Sequence, residues 1–359
     1  MKSSASKTIR NIIKTWYRKN RRNLPWRETS DPYKIWVSEI ILQQTRVSQG
    51  TGHYLKFVTR FPDLKTLAAA TEEEVLKTWQ GMGYYTRARN MHKTALLLTN
   101  AHGGAFPGTP EELAKLPGIG SYTAAAIASI AFQYPVATID ANSMRIIARL
   151  YGIHQDIRSA GIKKKTETLA MELLDRENPG EFNQALMDFG SLQCTPGIPD
   201  CGSCPLNHYC EAHLTGMVNK IPLLRQKKRL RHRYFHYLVI TDGTSVWLHK
   251  RTENDIWHSL YEFPLAEMPS GKRPDAGSWF KTTGIPHIQP EKISEIYRHT
   301  LSHQLIHARF YEVTVPCGQK PKRNDLIPVP VKSLVSYPLP VLIARYLADS
   351  GIAHYRQKG

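Results

Sequence analysis

Cysteine is scarce in this chain. Five in 359 residues are too few for a small scaffold stapled by disulfides. No stretch approaches 18 consecutive apolar residues, so no transmembrane helix and no membrane partner are expected. Lys2, Lys7 and Arg10 open the chain, but no apolar signal core follows them. Residues 11–17 read instead as an amphipathic helix, and a cytoplasmic protein is expected. Repeats and low-complexity tracts are absent. Acidic residues are short as well, 30 Asp and Glu against 48 Lys and Arg, for a formal charge of +18. The basic excess is 8 in residues 1–220 and 10 in the remainder, so it does not come from one tail. A polyanion partner is the simplest account; a soluble protein that is merely basic is the alternative. Hydrophobic residues at 41% and charged residues at 22% describe an ordinary globular chain with room for two cores.

Residues 1–220 read as helical. Apolar positions recur at helical spacing over 5–17, 35–50, 53–59, 72–80, 84–99, 110–115, 121–132, 142–152 and 164–174. Thr71 with Glu74 can form a capping box, and Thr109, Pro110 and Glu112 supply a cap, a first-turn proline and the matching glutamate. The pattern changes near 221. Residues 221–231 are strongly basic and read as a linker. Strands are expected over 234–240, 245–249 and 308–315, with an Asp242-Gly243 turn between the first two and helices within 331–349. The fold class is therefore multidomain: an all-α region over 1–220, then a domain of mixed strands and helices over 232–359.

Three groups of residues carry chemistry. In Leu116-Pro117-Gly118-Ile119-Gly120-Ser121-Tyr122-Thr123, Gly118 and Gly120 allow unusual backbone geometry and remove side chains. Backbone N–H groups at the next helix's start can then approach a phosphate. A plain helix connection is the alternative. Four cysteines lie within 17 residues, Cys194, Cys201, Cys204 and Cys210, spaced Cys-x6-Cys-x2-Cys-x5-Cys, while Cys317 stands alone. Four clustered thiolates can hold zinc or a four-iron cluster, and spacing does not separate the two. Finally, Glu39 is a lone carboxylate in an apolar helical run and Asp140 precedes a helix. Desolvation would favour a proton on the first, and N-terminal N–H groups would favour charge on the second. The alternatives are a surface-facing glutamate and an ordinary N-cap.

Taken together these strings resemble the MutY family of adenine DNA glycosylases, within the helix-hairpin-helix superfamily of endonuclease III. The match covers nearly all of residues 8–218, and a looser one to that family's Nudix-like domain covers about 230–350. The resemblance implies a helix-hairpin-helix glycosylase domain, a [4Fe–4S] cluster on Cys194, Cys201, Cys204 and Cys210, and an α+β Nudix-like reader of the lesion. It implies a nucleoid-associated bacterial repair enzyme, expected to act as a monomer on double-stranded DNA bearing adenine opposite 8-oxoguanine or guanine. Glu39, in Ser38-Glu39-Ile40-Ile41-Leu42-Gln43-Gln44-Thr45, matches the glutamate that protonates adenine. Asp140 matches the aspartate that stabilises the sugar cation, and Asn142 a supporting asparagine. Ala141 and Ser143 depart from the usual Asp-Gly-Asn-Val. Tyr122 stands where strand-cutting relatives carry a lysine that forms a Schiff base, so a monofunctional enzyme is implied.

A base must leave the stack to be excised. Gln44, and Tyr84 in Gly81-Met82-Gly83-Tyr84-Tyr85, match family residues inserted near the lesion. Met82 replaces a usual leucine there, and Arg87 is a candidate phosphate contact. Ser302 and His303, in Thr300-Leu301-Ser302-His303, match the hairpin that touches the oxidised guanine, with Leu301 in place of phenylalanine. The Nudix hydrolase signature is absent from the sequence, so pyrophosphatase activity is not expected. Two rivals remain: a related glycosylase for thymine mismatches or oxidised pyrimidines, and a DNA-damage-binding protein without turnover.

Overall fold

A computed structural model describes residues 3–101, 103–157, 159–223, 230–285, 288–316 and 321–352. Cys317 and most of the expected basic linker, residues 224–229, lie outside the described residues. The chain divides into two compact units, Met1–Ala69 with Asn90–Gln226, and Ala70–Arg89 with Lys227–Gly359. Residues 70–89, which helical periodicity had grouped with the first region, thus belong to the second unit.

The helices in chain order are α1 (Ser3–Asn20), α2 (Pro32–Leu42), α3 (Val47–Arg60), α4 (Leu64–Ala69), α5 (Glu72–Thr78), α6 (Thr86–Ala101), α7 (Pro110–Leu113), α8 (Ser121–Phe132), α9 (Ala141–Leu150), α10 (Ala160–Leu173), α11 (Pro179–Leu192) and α12 (Glu211–Leu214). Of these, α5 and the first turn of α6 lie in the second unit. Local chemistry starts many of them. Asp31 accepts from the Tyr33 N–H ahead of α2, Thr71 and Glu74 form the expected capping box on α5, and Thr109 caps α7. On α1, Ile9, Ile13 and Tyr17 recur every fourth residue and are buried, so one stripe faces the core. That core also takes Ile146, Ile147 and Leu150 of α9, Ala170 and Leu173 of α10, and Phe182, Leu186 and Phe189 of α11, with Cys194, Cys204 and Cys210 packed against it.

Two expectations change. The helix anticipated over 35–50 is two helices, α2 and α3, because Gln44 takes a left-handed φ of 61° that no helix interior accommodates. Helix α11 was not anticipated, although Phe182, Ala185, Leu186 and Phe189 recur at helical spacing within it; Pro179 and Gly180 before that run and Gly190 after it resemble helix breakers. Gly190 is there for approach, since a Cβ on it would sit 2.7 Å from the Cβ of Asn142.

The second unit is built on a mixed sheet. Its strands are β1 (Arg231–Thr241), β2 (Ser245–Lys250), β3 (Tyr261–Glu262), β4 (Leu265–Met268), β5 (Lys292–Ile293), β6 (Tyr297–Thr300), β7 (Gln304–Thr314) and β8 (Ile327–Pro330). Strands β1 and β7 run parallel from Arg231↔Gln304 to Thr241↔Thr314. Strands β2 and β4 pair antiparallel with β1, β5 and β6 with β7, and β3 and β8 with β2. Alternation decides the two faces. Leu238 and Tyr311 meet Trp279 of α13 (Ala276–Thr283) on one. On the other, Phe310 stacks on Tyr346 of α14 (Val341–Ser350) at 3.8 Å.

Candidate active site

Five of the anticipated residues line one cavity of about 590 Å³ in the first unit: Glu39 from α2, Gln44 just beyond that helix, Tyr122 from the first turn of α8, Asp140 at the N-cap of α9, and Asn142. Glu39 is 7% exposed. Burial pushes its carboxyl up to about 7; the Tyr122 hydrogen bond and Arg27 oppose this, and the Asp140 charge adds to it. Tyr122 is driven well above the ordinary phenol range by burial and then by the Glu39 and Asp140 charges. It is therefore a neutral hydroxyl, which donates to the Met187 sulfur at 3.2 Å.

Asp140 is held by its own helix. Its Oδ1 accepts from the Ser143 backbone N–H at 2.7 Å and from the Ser143 hydroxyl at 2.8 Å, and its Oδ2 accepts from Asn142 at 2.9 Å. The Ser143 hydroxyl in turn accepts from the Asp140 N–H at 2.8 Å. The departure at 143 thus completes a capping box around the carboxylate. Arg145 donates to Asn142 Oδ1 and to the Cys194 carbonyl, both at 2.9 Å, and also to the Gly190 carbonyl. Asn142 is thereby fixed from both sides.

Several cavity residues carried no signal strong enough to single them out: Arg22, Trp26, Arg27, Gln184 and Met187. Arg22 and Arg27 both grip Asp188, which is fully buried, with nitrogen–oxygen distances of 2.8 Å. A clue was present. Asp188 is the lone acid in the apolar run Phe182–Phe189, and a buried carboxylate demands a cation.

The four anticipated cysteines line a separate shared cavity. Among the described residues, no three His, Cys, Asp or Glu form a group that could hold a single metal ion. Burial pushes the Cys204 thiol up to about 11 and raises Cys201 and Cys210 as well. In an apolar setting a thiol gives up its proton when a metal replaces it. Arg149, 3% exposed, ties the loop down: it donates to Cys194 Sγ and to the carbonyls of Thr195, Gly197 and Ile221.

At the glycine turn, Gly118 has φ 76°, and a Cβ there would meet the Asn90 Cβ at 2.7 Å. Gly120 has an ordinary φ of −83° and caps α8 without a side-chain bond; a Cβ on it would meet nothing within 4 Å. Shape demands glycine at the first position, whereas the second leaves the helix's N–H groups open to an approaching group.

Gln44 and Tyr84 are both exposed and both adopt positive φ, 61° and 47°, a strain that collects at functional positions. Met82 is buried. The Arg87 guanidinium donates to the Met82 and Gly83 carbonyls and lies over the rings of Trp79 and Tyr84; burial brings its pKa down to about 10. It props the loop that carries Tyr84. Ser302 and His303 are exposed at the β6–β7 hairpin, 3.2 Å apart.

Comparison with known proteins matches two stretches of the chain to two families. Residues 37–175 match the HhH-GPD superfamily base excision DNA repair protein model, and residues 214–349 match the NUDIX domain. An adenine DNA glycosylase of Buchnera aphidicola from Acyrthosiphon pisum is 34% identical over 306 residues, spanning 85% of this chain and 86% of that protein. The chain belongs to the adenine DNA glycosylase family. The human adenine DNA glycosylase is 39% identical over 213 residues, covering 57% of this chain and 39% of its own length. A solved thermostable thymine-DNA glycosylase superposes with a TM-score of 0.54 at 29% identity, over 58% of this family member and 97% of that structure. A trapped endonuclease III–DNA complex, at 22% identity and TM-score 0.52, shares the fold. No described helix of this family member is long and apolar enough to cross a membrane.

Proposed function

We propose that this protein removes adenine from DNA in base excision repair, acting as a monomer on adenine opposite 8-oxoguanine or guanine and leaving an abasic site. The observation that carries the proposal is Glu39. It is a buried acid with a pKa of about 7, in the same cavity as Asp140 and Tyr122. Breaking the bond between a purine and its sugar requires a proton for the departing base and a negative group for the cation-like sugar left behind, as in sugar hydrolysis. At neutral pH about half of the Glu39 carboxyls hold a proton, which passes to a nitrogen of the extruded adenine. The Asp140 carboxylate, fixed by Asn142 and Ser143, stabilises the sugar cation until water adds to it. Tyr122 offers no amine for a Schiff base, so the DNA strand stays intact.

DNA is held without regard to sequence at the Gly118–Gly120 turn, where backbone N–H groups take a phosphate. Gln44 and Tyr84 are the candidates for filling the gap left by the flipped base, supported by their exposure and left-handed backbones. Ser302 and His303 are the candidates for reading the oxidised guanine. Cys194, Cys201, Cys204 and Cys210 would hold a [4Fe–4S] cluster. Four thiols around one shared cavity fit such a centre. Such a centre supplies cross-links that anchor the loop.

Duplexes carrying A opposite 8-oxoguanine, A opposite G, and T opposite G separate the readings. Adenine should be released from the first two, with strand breaks only after alkali. Release of thymine, or breaks without alkali, would refute the proposal. Visible absorbance lost together with iron, and absent from Cys204→Ser, checks the cluster; stoichiometric zinc in its place would overturn that assignment.

A further inference from the structure

The sheet of the second unit has an uncovered half-face that the function proposed above does not use. Register places His232, Tyr234 and His236 of β1 beside Leu305, His307 and Arg309 of β7, and Arg298 of β6 opposite His307. Helix α13 covers the far part of this face through Trp279 and Tyr311. The near part stays open, with His232 and Arg298 exposed and Tyr234, His307 and Arg309 half-buried. Here three rings form one stack. His307 lies 5.2 Å from His232 at 18° and 5.0 Å from Tyr234 at 17°, and the two imidazoles meet at 3.0 Å.

The electrostatics of the face have one sign. The charges acting on His307 are His232 and Arg298, those acting on His236 are Arg309 and Arg273, and those acting on Tyr311 are Arg309 and Arg273. Burial first, then these cations, holds His236 down to about 4 and lowers His307. Buried His236 also leaves Nε2 without a hydrogen-bond partner. Among the described residues, the charges acting on His236, His307 and Tyr311 are all basic, and flat rings beside such charges complement a polyanion.

The face is continuous with the β6–β7 hairpin. Arg231 donates its backbone N–H to the His303 carbonyl at 3.0 Å, and His232 is level with Leu305. At about 3.3 Å per residue the stack begins roughly 7 Å from His303 and extends to about 13 Å, which is about one to two phosphate spacings along a strand.

We propose that this half-face is a second DNA contact, separate from the lesion-reading hairpin, in which Arg298, Arg309 and the His232–His307 pair hold backbone phosphates flanking the lesion. The proposal rests on the reading of this chain as a DNA-binding glycosylase. It assigns the face to positioning, so the face contributes affinity without lesion preference.

Titration of the full-length protein with labelled duplexes over a range of salt concentrations tests it. Arg298→Ala should weaken binding by the same factor on undamaged duplex and on A opposite 8-oxoguanine. It should also make log K against log salt shallower by about 0.9 for one lost phosphate. Arg298→Glu should go further in the same direction, and single-turnover excision at saturating enzyme should be unchanged. Circular dichroism confirms that these exposed substitutions leave the fold intact. Unchanged affinity and slope overturn the proposal, as does a loss confined to the 8-oxoguanine duplex, which would make the face part of the lesion reader. His303→Ala tests the hairpin separately: it should erase the preference for 8-oxoguanine over guanine and leave the salt slope alone. Failure of that result alone would remove the hairpin assignment while keeping the sheet face.

Discussion

Replacing Glu39 by glutamine keeps the side chain's shape and removes the proton that the proposed chemistry needs. Two consequences of opposite sign follow from its pKa of about 7 in the fold against the ordinary glutamate value of 4.5. The first is kinetic. Loss of a positioned general acid costs about 10²- to 10⁴-fold, so single-turnover release of adenine should fall by about that factor. In the parent, the protonated fraction is about nine-tenths at pH 6, one-half at pH 7 and one-tenth at pH 8, so the rate should drop about fivefold between pH 7 and 8. The second consequence is thermodynamic. A carboxyl raised in the folded state binds its proton more tightly there. Its stabilising contribution is complete below about pH 4.5 and is lost as pH rises toward 7. A shift of this size corresponds to about 3 kcal/mol, and Glu39 is buried enough for most of that to be felt. Glu39→Gln should therefore melt at a higher temperature than the parent at pH 8, by up to roughly 6–12 °C, and with little difference at pH 5. Stopped-time excision assays and thermal melts across pH 5–8.5 measure both effects. A variant that keeps more than a tenth of parental activity, or a parent whose rate is flat across that range, would refute Glu39 as the acid.

Three further outcomes are expected. Asp140→Asn keeps an Oδ1 acceptor for Ser143 at the N-cap, gives up the Oδ2 acceptor that Asn142 uses, and removes the charge facing the sugar. Excision should fall by about 10²- to 10³-fold with DNA affinity retained, and loss of binding in step with rate would contradict the assignment. Asp188→Ala strands Arg22 and Arg27; unfolding by denaturant should show a loss of about 3–5 kcal/mol, toward the low end because the Arg22 side chain is 28% exposed, and a change under 1 kcal/mol would count against a buried ion-pair role. The glycine pair separates shape from binding. Gly118→Ala should lower the melting temperature because of its left-handed φ and the Asn90 clash, whereas Gly120→Ala should melt like the parent yet bind every duplex more weakly; equal melting losses in both would contradict the distinction.

Helical periodicity marked most of the first unit, since Ile9, Ile13 and Tyr17 report a buried stripe wherever they occur. Caps at Thr71 and Thr109 were likewise legible, because a capping box closes within four residues. The pairing of Arg22 and Arg27 with Asp188 was not, as those residues are more than 160 positions apart and no local pattern encodes the partner of a buried charge. Helix α11 carries a period of its own in Phe182, Ala185, Leu186 and Phe189, but the glycines flanking it, which serve close approach to neighbouring helices, look like breakers in the sequence.

What the sequence determined by itself was chemistry type and local geometry: a thiol cluster by spacing, a glycine turn by residue type, and an acid in an apolar run. Tertiary structure alone decided that Glu39, Tyr122 and Asp140 share one cavity, that α2 stops at Leu42 ahead of the left-handed Gln44, and that residues 70–89 join the sheet-bearing unit. The physical reason is range. Propensity, capping and spacing act over a few residues, whereas desolvation and charge pairing depend on which distant segments the folded chain brings together.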